Sequence, residues 1–448
     1  MISHPYDKSQ DPALEPPNLL SENSNYFHQY QDTFAILPNQ LRSWQNSVLL
    51  PEKTTMIKSL LDKNNNTAIL LAGILAIIVG VGVARFAFTS LLPFMLEDFL
   101  SLTYAGVLAS FNFAGYLAGA VFSIFLKDIN TKVKYFRIGM VLSVLTTLVL
   151  ATTTNETLWL VSRVIAGFGA AMVLIVGGAI VMVKLNFENK TKAMGIHFSG
   201  IGFSIAVSEL ISQYILRNGT WSDAWLALSI FAFIVSFYVI YILSFDKALK
   251  KEAVKHPLSK SIFSTYVILL ILAYFTEGVG FVVQATFLPD IINSLEGLQG
   301  YGNLGWLIVG VAGIPSSILW MRWAHSYGSV NVIIIAMALQ IIGILIPALS
   351  TNIYLNLLSS ALYGSTFIGL VALFLNYGGQ LAGKNPVVLM GAMTAAYGIG
   401  QVGAPLYSVA LVDYFGNYNT TLYVTAFIVF VGILFLLYAK KIEPIKKS

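Results

Sequence analysis

The sequence of 448 residues contains no cysteine, which excludes disulfides, thiolate metal sites and cysteine nucleophiles. It also lacks a Walker phosphate loop, the ligand spacing of a zinc site and a G-x-S-x-G nucleophile turn. An ATP-driven pump and an enzyme are therefore disfavoured, because each needs a nucleotide loop, a metal cluster or a nucleophile–base pair. We expect no catalytic residues, no metal and no cofactor.

Charge is scarce as well, at 10% of the residues against about 25% in an average soluble domain. Apolar residues make up 56% of the chain, and the mean hydropathy is +0.75. They gather in stretches of about 20 residues, the length of a helix that crosses a lipid bilayer. The predicted fold class is therefore an all-α polytopic membrane protein. Hydropathy predicts about twelve spans, at 67–93, 102–126, 135–154, 157–183, 193–215, 223–245, 263–288, 304–323, 330–349, 353–377, 387–412 and 419–439.

The basic residues are distributed unevenly between the loops. With spans that alternate in direction, nearly all loop lysines and arginines fall on one side of the membrane, and the other side holds only Arg217. The positive-inside rule makes the basic side cytoplasmic, so both termini are predicted to be cytoplasmic in a bacterial-type inner membrane. The net charge of +5 therefore reflects topology rather than a groove for nucleic acid.

The predicted spans divide six and six around a charged loop at 246–262. Two parallel repeats, at 56–245 and 263–448, are an arrangement typical of secondary transporters. The repeat is supported by four pairs of Gly or Pro residues that lie 196 residues apart across the loop: Gly82 and Gly278, Pro93 and Pro289, Gly195 and Gly391, and Gly202 and Gly398.

The segment 1–55 is polar, rich in Pro, Asn, Gln and Ser, and has no helical period. A disordered extension is the simplest interpretation. Two alternatives stay open: translation starts at Met56, or the segment is a targeting or partner-binding arm. No cleaved signal peptide is predicted, because the first apolar run is too long and lacks a small-residue cleavage site.

The run GVGVARFAFTSLLP at 80–93 resembles the first helix of the YbfB/YjiJ branch of the major facilitator superfamily. Further runs are similar to that branch: ASFNFAGYLAG at 109–119, TFLP at 286–289, YGSTFIG at 363–369 and TAAYGIGQVGAP at 394–405. The loop signature after the second span departs from the superfamily pattern, because the glycine is missing around Lys127 and Asp128. The resemblance covers about Met56 to the C-terminus and implies a major facilitator fold of two six-helix pseudo-repeats.

Four charged residues lie inside the predicted spans: Arg85, Arg163, Glu209 and Glu277. A charge at the bilayer centre costs about 2.5–3.5 kcal/mol even on a mild scale, so these side chains are expected to face the bundle interior or a wet cavity. At about 1.5 Å of rise per residue, the first three share a level in the outer half of the N-terminal bundle. Glu277 lies near the midplane of the C-terminal bundle.

Two interpretations of Arg85 stay open. Its guanidinium binds an anionic group of the substrate, or it joins helices through backbone carbonyls and the side chain of Asn112, which lies at a similar depth. Arg163 and Glu209 are also at matched depth. They are predicted to form an ion pair, either a structural one or a gate that breaks during transport.

Glu277 is the predicted proton-coupling residue. No basic residue in the C-terminal spans compensates its charge, and burial without a partner favours the neutral acid. A midplane carboxyl that takes up and releases a proton as access alternates would couple transport to the proton gradient. The alternative is a protonated acid that is hydrogen-bonded across helices and never cycles. His197, near the inner end of the fifth span, is a second proton candidate or a structural histidine.

Polar and aromatic residues complete the predicted substrate site: Arg85, Asn112, Tyr116, Thr394, Tyr397 and Gln401. The predicted function is secondary active transport of a small organic solute by alternating access, coupled to protons. The two arginines favour a substrate that carries a carboxylate. Two alternatives remain, an exporter of amphipathic compounds or drugs and a transporter-like sensor without net flux.

Overall fold

The computed structural model describes residues 53–126, 128–186, 190–245, 264–382 and 386–442. Residues from Leu60 onward belong to one compact unit, which holds every site discussed below. The predicted extension at 1–55 falls almost entirely outside the described ranges, and the predicted linker at 246–262 falls wholly outside them.

The described chain contains eleven helices that are long and apolar enough to cross a membrane, and one bent helix pair makes a twelfth span. The prediction of an all-α membrane protein with about twelve spans is confirmed. The spans are α1 Asn66–Asp98, α2 Leu102–Ile124, α3 Ile129–Thr152, α4 Glu156–Lys184, α5 Ala193–Leu216, α6 Trp221–Ile242, α7 Thr265–Asn293, α8 Gly302–Gly313 with Ser316–Tyr327, α9 Ser329–Leu349, α10 Ile353–Leu381, α11 Leu389–Phe415 and α12 Asn419–Lys441.

Polar caps and one proline set helix boundaries that hydropathy misses. The third span was predicted to begin at 135, but α3 begins at Ile129 because the Asp128 carboxylate accepts from the Thr131 N–H at 2.9 Å and caps the helix. The eighth span bends by 46° just before its second helix, where Pro315 occupies the N-cap position.

Hydrogen bonds between helix ends show that α6 runs opposite to α1 and in the same direction as α4. Trp221 Nε1, at the start of α6, donates to Asp98, at the end of α1, at 2.8 Å. Lys184 Nζ, at the end of α4, donates to Ser244 O, just after α6, at 2.7 Å. We call the end of the bundle that holds Asp98 the far end, and the opposite end, where α1 begins, the near end.

Helices α1–α6 form an N-half and α7–α12 a C-half, and the sequence repeat is also a structural repeat. A Cβ at Gly82 would lie 2.5 Å from the Ser204 carbonyl of α5, and a Cβ at Gly278 would lie 2.2 Å from the Tyr397 carbonyl of α11. Both positions need glycine because the two backbones touch. The Thr89 hydroxyl donates to the carbonyl of Ala285, which lies 196 residues further on. This contact between equivalent positions places the pseudo-two-fold axis between α1 and α7.

Candidate substrate site

Helix α1 changes its geometry in the middle of its length. Ile78–Phe86 forms a π-helical segment, which is wider than a regular α-helix. Gly80 in this segment lies against Val173 of a second π-helical segment, Met172–Val176 of α4, because no side chain separates the two helices. Such segments are frequent at functional sites. Arg85 lies at the end of the segment in α1.

Arg85 projects into an aromatic cage, which we define as Phe86, Phe113, Tyr116 and Phe281. Its Cζ lies 4.3 Å from the ring centre of Phe113 and 4.8 Å from that of Tyr116, both on α2. Phe86 lies at 5.6 Å and Phe281 of α7 at 5.8 Å, so the rings come from both halves. Cation–π attraction within about 6 Å stabilises a desolvated cation by about 2 kcal/mol.

Two nitrogens of Arg85, Nε and Nη2, are buried without a hydrogen-bond partner in the described part of the chain. They lie on the same side of the guanidinium, where their parallel N–H groups match the two oxygens of a carboxylate or phosphate. An unpaired buried donor costs about 1–3 kcal/mol. The arrangement therefore favours a bound anion.

Asn112 makes no hydrogen bond to Arg85 among the described residues, although one of the two interpretations of Arg85 expected that contact. Its Nδ2 donates to the Arg163 carbonyl of α4 at 2.9 Å. The reason is the close approach of α2 to α4, where a Cβ at Gly115 would lie 2.0 Å from a backbone oxygen. Asn112 faces that contact, and the next residue, Phe113, packs against the guanidinium instead.

The predicted ion pair of Arg163 with Glu209 is also absent from the described residues. Arg163 Nη1 donates to the Ala84 carbonyl at 3.0 Å, and its Cζ lies 4.6 Å from the ring centre of Phe88. The Glu209 carboxylate accepts from the Ser90 hydroxyl. Phe88 and Ser90 point to nearly opposite sides of α1, which therefore separates the two charges. Arg163 supports the π-helical segment, because Ala84 belongs to it.

Ser90, Glu209 and Asn303 form a cluster that joins the halves, and we call it the far-end latch. Asn303, at the start of α8, donates its Nδ2 to Glu209 Oε1 and to the Ser90 carbonyl, each at 2.9 Å. The second carboxylate oxygen accepts from the Ser90 hydroxyl. The latch therefore closes the bundle between α1, α5 and α8. At the same end of the bundle, Thr103 of α2 donates to Asp413 of α11 at 2.6 Å.

Glu277 lies on α7, and its hydrogen bond is made outside the aromatic cage. Gln340 Nε2 of α9 donates to Glu277 Oε1 at 3.2 Å, and Oε2 has no partner among the described residues. Tyr274 and Phe281, three residues before and four residues after Glu277, pack against Tyr397 of α11, with ring centres at 4.5 Å and 6.0 Å. Glu277 and Arg85 therefore share no direct contact partner among the described residues.

The second proton candidate, His197, is buried in the N-half towards the near end. Its ring lies against Gly73 of α1 and Gly178 of α4, two positions at which a side chain would compete for the same space. Neither ring nitrogen has a hydrogen-bond partner in the described structure. No contact links His197 to Arg85 or to either buried carboxylate among these residues.

The remaining predicted site residues separate into two groups. Tyr116 and Tyr397 lie at or beside the cage, through contacts with Arg85 and Phe281 respectively. Gln401 is buried one turn beyond Tyr397, with Oε1 unpaired in the described chain. Thr394 is half-buried and donates its hydroxyl to the Met390 carbonyl of its own helix at 2.8 Å, so its polar group is already occupied.

No group of three or more His, Asp or Glu suited to a metal ion occurs among the described residues.

Residues 77–437 match the family model described as the uncharacterised MFS-type transporter YbfB. The chain belongs to this family. The resemblance seen in the helix motifs is thereby confirmed. A solved structure of the nucleoside transporter NupG, in a mutant form, is similar with a TM-score of 0.64 and 14% identity, over 83% of this chain and 99% of that chain. That likeness establishes the shared major facilitator fold. No curated protein matches the sequence.

Sequence reasoning missed two polar partners in this YbfB-type transporter. Asn303 was placed in a loop because the eighth span was predicted to begin at 304, one residue later. Gln340 lies inside the ninth span, from which no site residue was predicted. A search for every amide within or beside the spans would have found both.

Proposed function

We propose that this protein is a secondary active transporter that moves a small organic anion by alternating access. Arg85 carries the proposal, because a buried guanidinium with a free pair of donors lies where rings from both halves meet. A ligand bound there contacts both halves at once, so rocking of the halves about it exposes the site to one side and then the other.

The far-end latch supports alternating access. It joins α1 and α5 of the N-half to α8 of the C-half through the Asn303 amide. Among the described residues, the hydrogen bond between the halves at the near end is from Ser317 Oγ to the Gly195 carbonyl, at 3.3 Å. We propose that the far end faces outward, as the basic near-end loops favour, and that both termini lie in the cytoplasm of a bacterial-type inner membrane.

Proton coupling is the second part of the proposal, and we assign it to Glu277. The carboxyl is fully buried, its partner Gln340 is neutral, and no cation contacts it among the described residues. Burial of a lone carboxylate is costly, so substrate movement that changes its surroundings also changes its affinity for a proton.

An exporter of amphipathic compounds is a second candidate, favoured by a groove on the outer surface of the bundle. The groove has a volume of about 790 Å³ and opens between α2 and α11, on the seam between the halves. Its lining is almost wholly apolar: Ala114, Leu117, Ala118, Val121, Phe122, Phe125, Ile399, Val402 and Gly403. A substrate that enters from the bilayer would use such a surface.

Uptake into proteoliposomes tests the proposal directly. The purified protein should drive accumulation of an organic anion when a proton gradient is imposed, and Arg85→Gln should abolish that accumulation. Arg137→Gln, a change at an exposed arginine of α3, is the matched control and should transport normally. Accumulation that persists in Arg85→Gln, or transport confined to hydrophobic cations, would contradict the anion site and favour the exporter.

A further inference from the structure

The unpaired face of Arg85 determines what head group the site accepts. Nε and Nη2 form one donor pair, and both are buried. A single carboxylate satisfies both with two parallel hydrogen bonds, a geometry that a lone hydroxyl or a halide cannot match. The position of the free pair therefore indicates an anionic head group with two parallel acceptor oxygens, as a carboxylate has.

The other buried charges are occupied away from the cage. Arg163 donates its Nη1 to the π-helical segment and has an unpaired Nε in the described chain, Glu209 belongs to the far-end latch, and Glu277 accepts from Gln340. In the described structure the cage therefore has one positive charge and no negative charge in contact with it. A second carboxylate on the ligand would have no cation, and an ammonium group would have no anion, so both would be desolvated without compensation.

The walls around the guanidinium are apolar and aromatic. Phe281 packs against Phe367 at 5.2 Å and Tyr397 at 6.0 Å between ring centres. The Tyr363 hydroxyl is already used, because it donates to the Phe281 carbonyl at 2.7 Å. Ring faces and edges in such an array favour contact with another flat ring beyond the burial of its area.

From these three observations we propose that the site selects an organic anion with one carboxylate and a flat apolar body, the class of the aromatic monocarboxylates. The proposal rests on the proposed transport function and specifies its substrate class. Arg85 holds the carboxylate, while Phe113, Tyr116 and Phe281 surround the ring of the ligand and the guanidinium together.

A thermal-shift and calorimetric panel on the detergent-purified full chain tests the selectivity without any variant. Benzoate is the probe, benzamide is its neutral analogue, hexanoate is a flexible monocarboxylate, succinate is a dicarboxylate and phenylalanine is an aromatic zwitterion. Benzoate should bind most tightly, and at 100 times its Kd it should stabilise the protein by about 2.7 kcal/mol. Benzamide should bind at least about a hundredfold more weakly, because it lacks the charge that the donor pair matches.

Three variants separate the carboxylate contact from the ring contact. Arg85→Lys keeps the positive charge but loses the two parallel N–H donors of the guanidinium. It should weaken benzoate binding about tenfold or more. Phe281→Leu should reduce the preference for benzoate over hexanoate, because it removes a ring but keeps the volume approximately. The exposed-site control Arg137→Gln should reproduce the parent selectivity. The elution profile and unliganded Tm of each variant report whether it folds.

The outcomes distinguish this proposal from the transport function. Tightest binding of succinate or phenylalanine, with loss in Arg85→Lys, would overturn the substrate class and leave anion transport intact. Equal binding of benzoate and benzamide would remove Arg85 from the head-group contact. Proton-driven uptake of a different anion in proteoliposomes, without benzoate binding, would also overturn the substrate class. Failure of every anion to bind or be transported would overturn both proposals.

Discussion

The two halves share one backbone plan and differ in chemistry at its centre. Arg85 follows Gly82 by three residues, and Phe281 follows the equivalent Gly278 by three. One half therefore supplies a cation and the other a ring at corresponding positions, and the two side chains lie 5.8 Å apart, from Cζ to ring centre. A repeated fold can thus divide the work of the proposed site, in which one half would hold the charge of the ligand and the other would enclose it.

The two halves also differ at the position of the buried carboxyl Glu277. Glu277 of the C-half corresponds to Val81 of the N-half, 196 residues earlier. The N-half places its own carboxylate, Glu209, at the boundary with the C-half, where the far-end latch forms. Duplicated helices therefore carry groups of different chemistry, and each group has a separate environment.

The largest expected effect comes from Arg85. Arg85→Ala should lower anion affinity by about a hundredfold or more, because two hydrogen bonds to a charged group contribute about 1.5–3 kcal/mol each. Phe281→Ala, the equivalent change in the C-half, should lower affinity by about tenfold, through lost ring contacts. Titration calorimetry with both variants measures the difference. Equal losses of affinity would mean that the two halves contribute alike to anion binding.

Glu277→Gln should uncouple transport from the proton gradient. The amide keeps the size of the side chain but cannot take up a proton, so proton-driven accumulation should be lost while exchange of substrate across the membrane continues. Counterflow and gradient-driven uptake in the same proteoliposomes measure the two activities. Val81→Leu, at the equivalent N-half position, is the control and should keep both. Accumulation retained by Glu277→Gln would remove this carboxyl from the coupling mechanism.

Loss of the Asn303 side-chain amide should weaken the far-end latch and favour opening at that end. Asn303→Ala removes hydrogen bonds to both Ser90 and Glu209, worth about 1.5 kcal/mol or more, and should raise the population open at the far end by about tenfold. The native chain has no cysteine, so Ser212→Cys, a buried position of α5 in the far half, gives a single labelling site. Maleimide labelling from that side should accelerate in Asn303→Ala.

Asn417→Ala is the matched control for the latch. Asn417 is an exposed amide in the far-end loop before α12, and its loss should leave labelling of Ser212→Cys unchanged. If the labelling rate in Asn303→Ala equals that in the control, the cluster does not keep the far end closed.

The last prediction concerns the shared backbone plan and affects stability rather than transport. Gly82→Ala and Gly278→Ala each place a methyl group against a carbonyl of the neighbouring helix, which should cost about 1–3 kcal/mol and lower the Tm similarly in the two halves. Gly403→Ala is the control, because a Cβ at Gly403 has no atom within 4 Å. Thermal unfolding followed by fluorescence measures all three. A loss in one half only would mean that the packing is not equivalent.

Much of the fold could be predicted because a bilayer imposes simple rules. Span number, helix class and the 196-residue repeat follow from apolar length and from the glycines that allow close helix contact. The helix ends were less accessible, since α1 continues to Asp98 although its apolar run ends near Pro93. Hydropathy measures the apolar part of a span, whereas hydrogen bonding carries the helix beyond it.

The site was harder to predict than the fold. The rise per residue predicts that Arg163 and Glu209 lie at one level, but depth says nothing of direction around the helix axis. The π-helical segment that begins at Ile78 changes the direction of every later side chain of α1. None of the sequence motifs described above indicates such a segment. The partners of Arg85 and Glu209 therefore required the structure.

The packing of Trp306 on Phe86 has a spectroscopic consequence. The two rings meet edge to face across the boundary between the halves, with centres 5.8 Å apart, and Trp306 is fully buried. Separation of the halves at this point would admit water to the indole and move its emission to longer wavelength. The protein thus contains an intrinsic optical reporter of the proposed separation of its halves, and the emission of Trp306 can be isolated by replacing the other six tryptophans with phenylalanine.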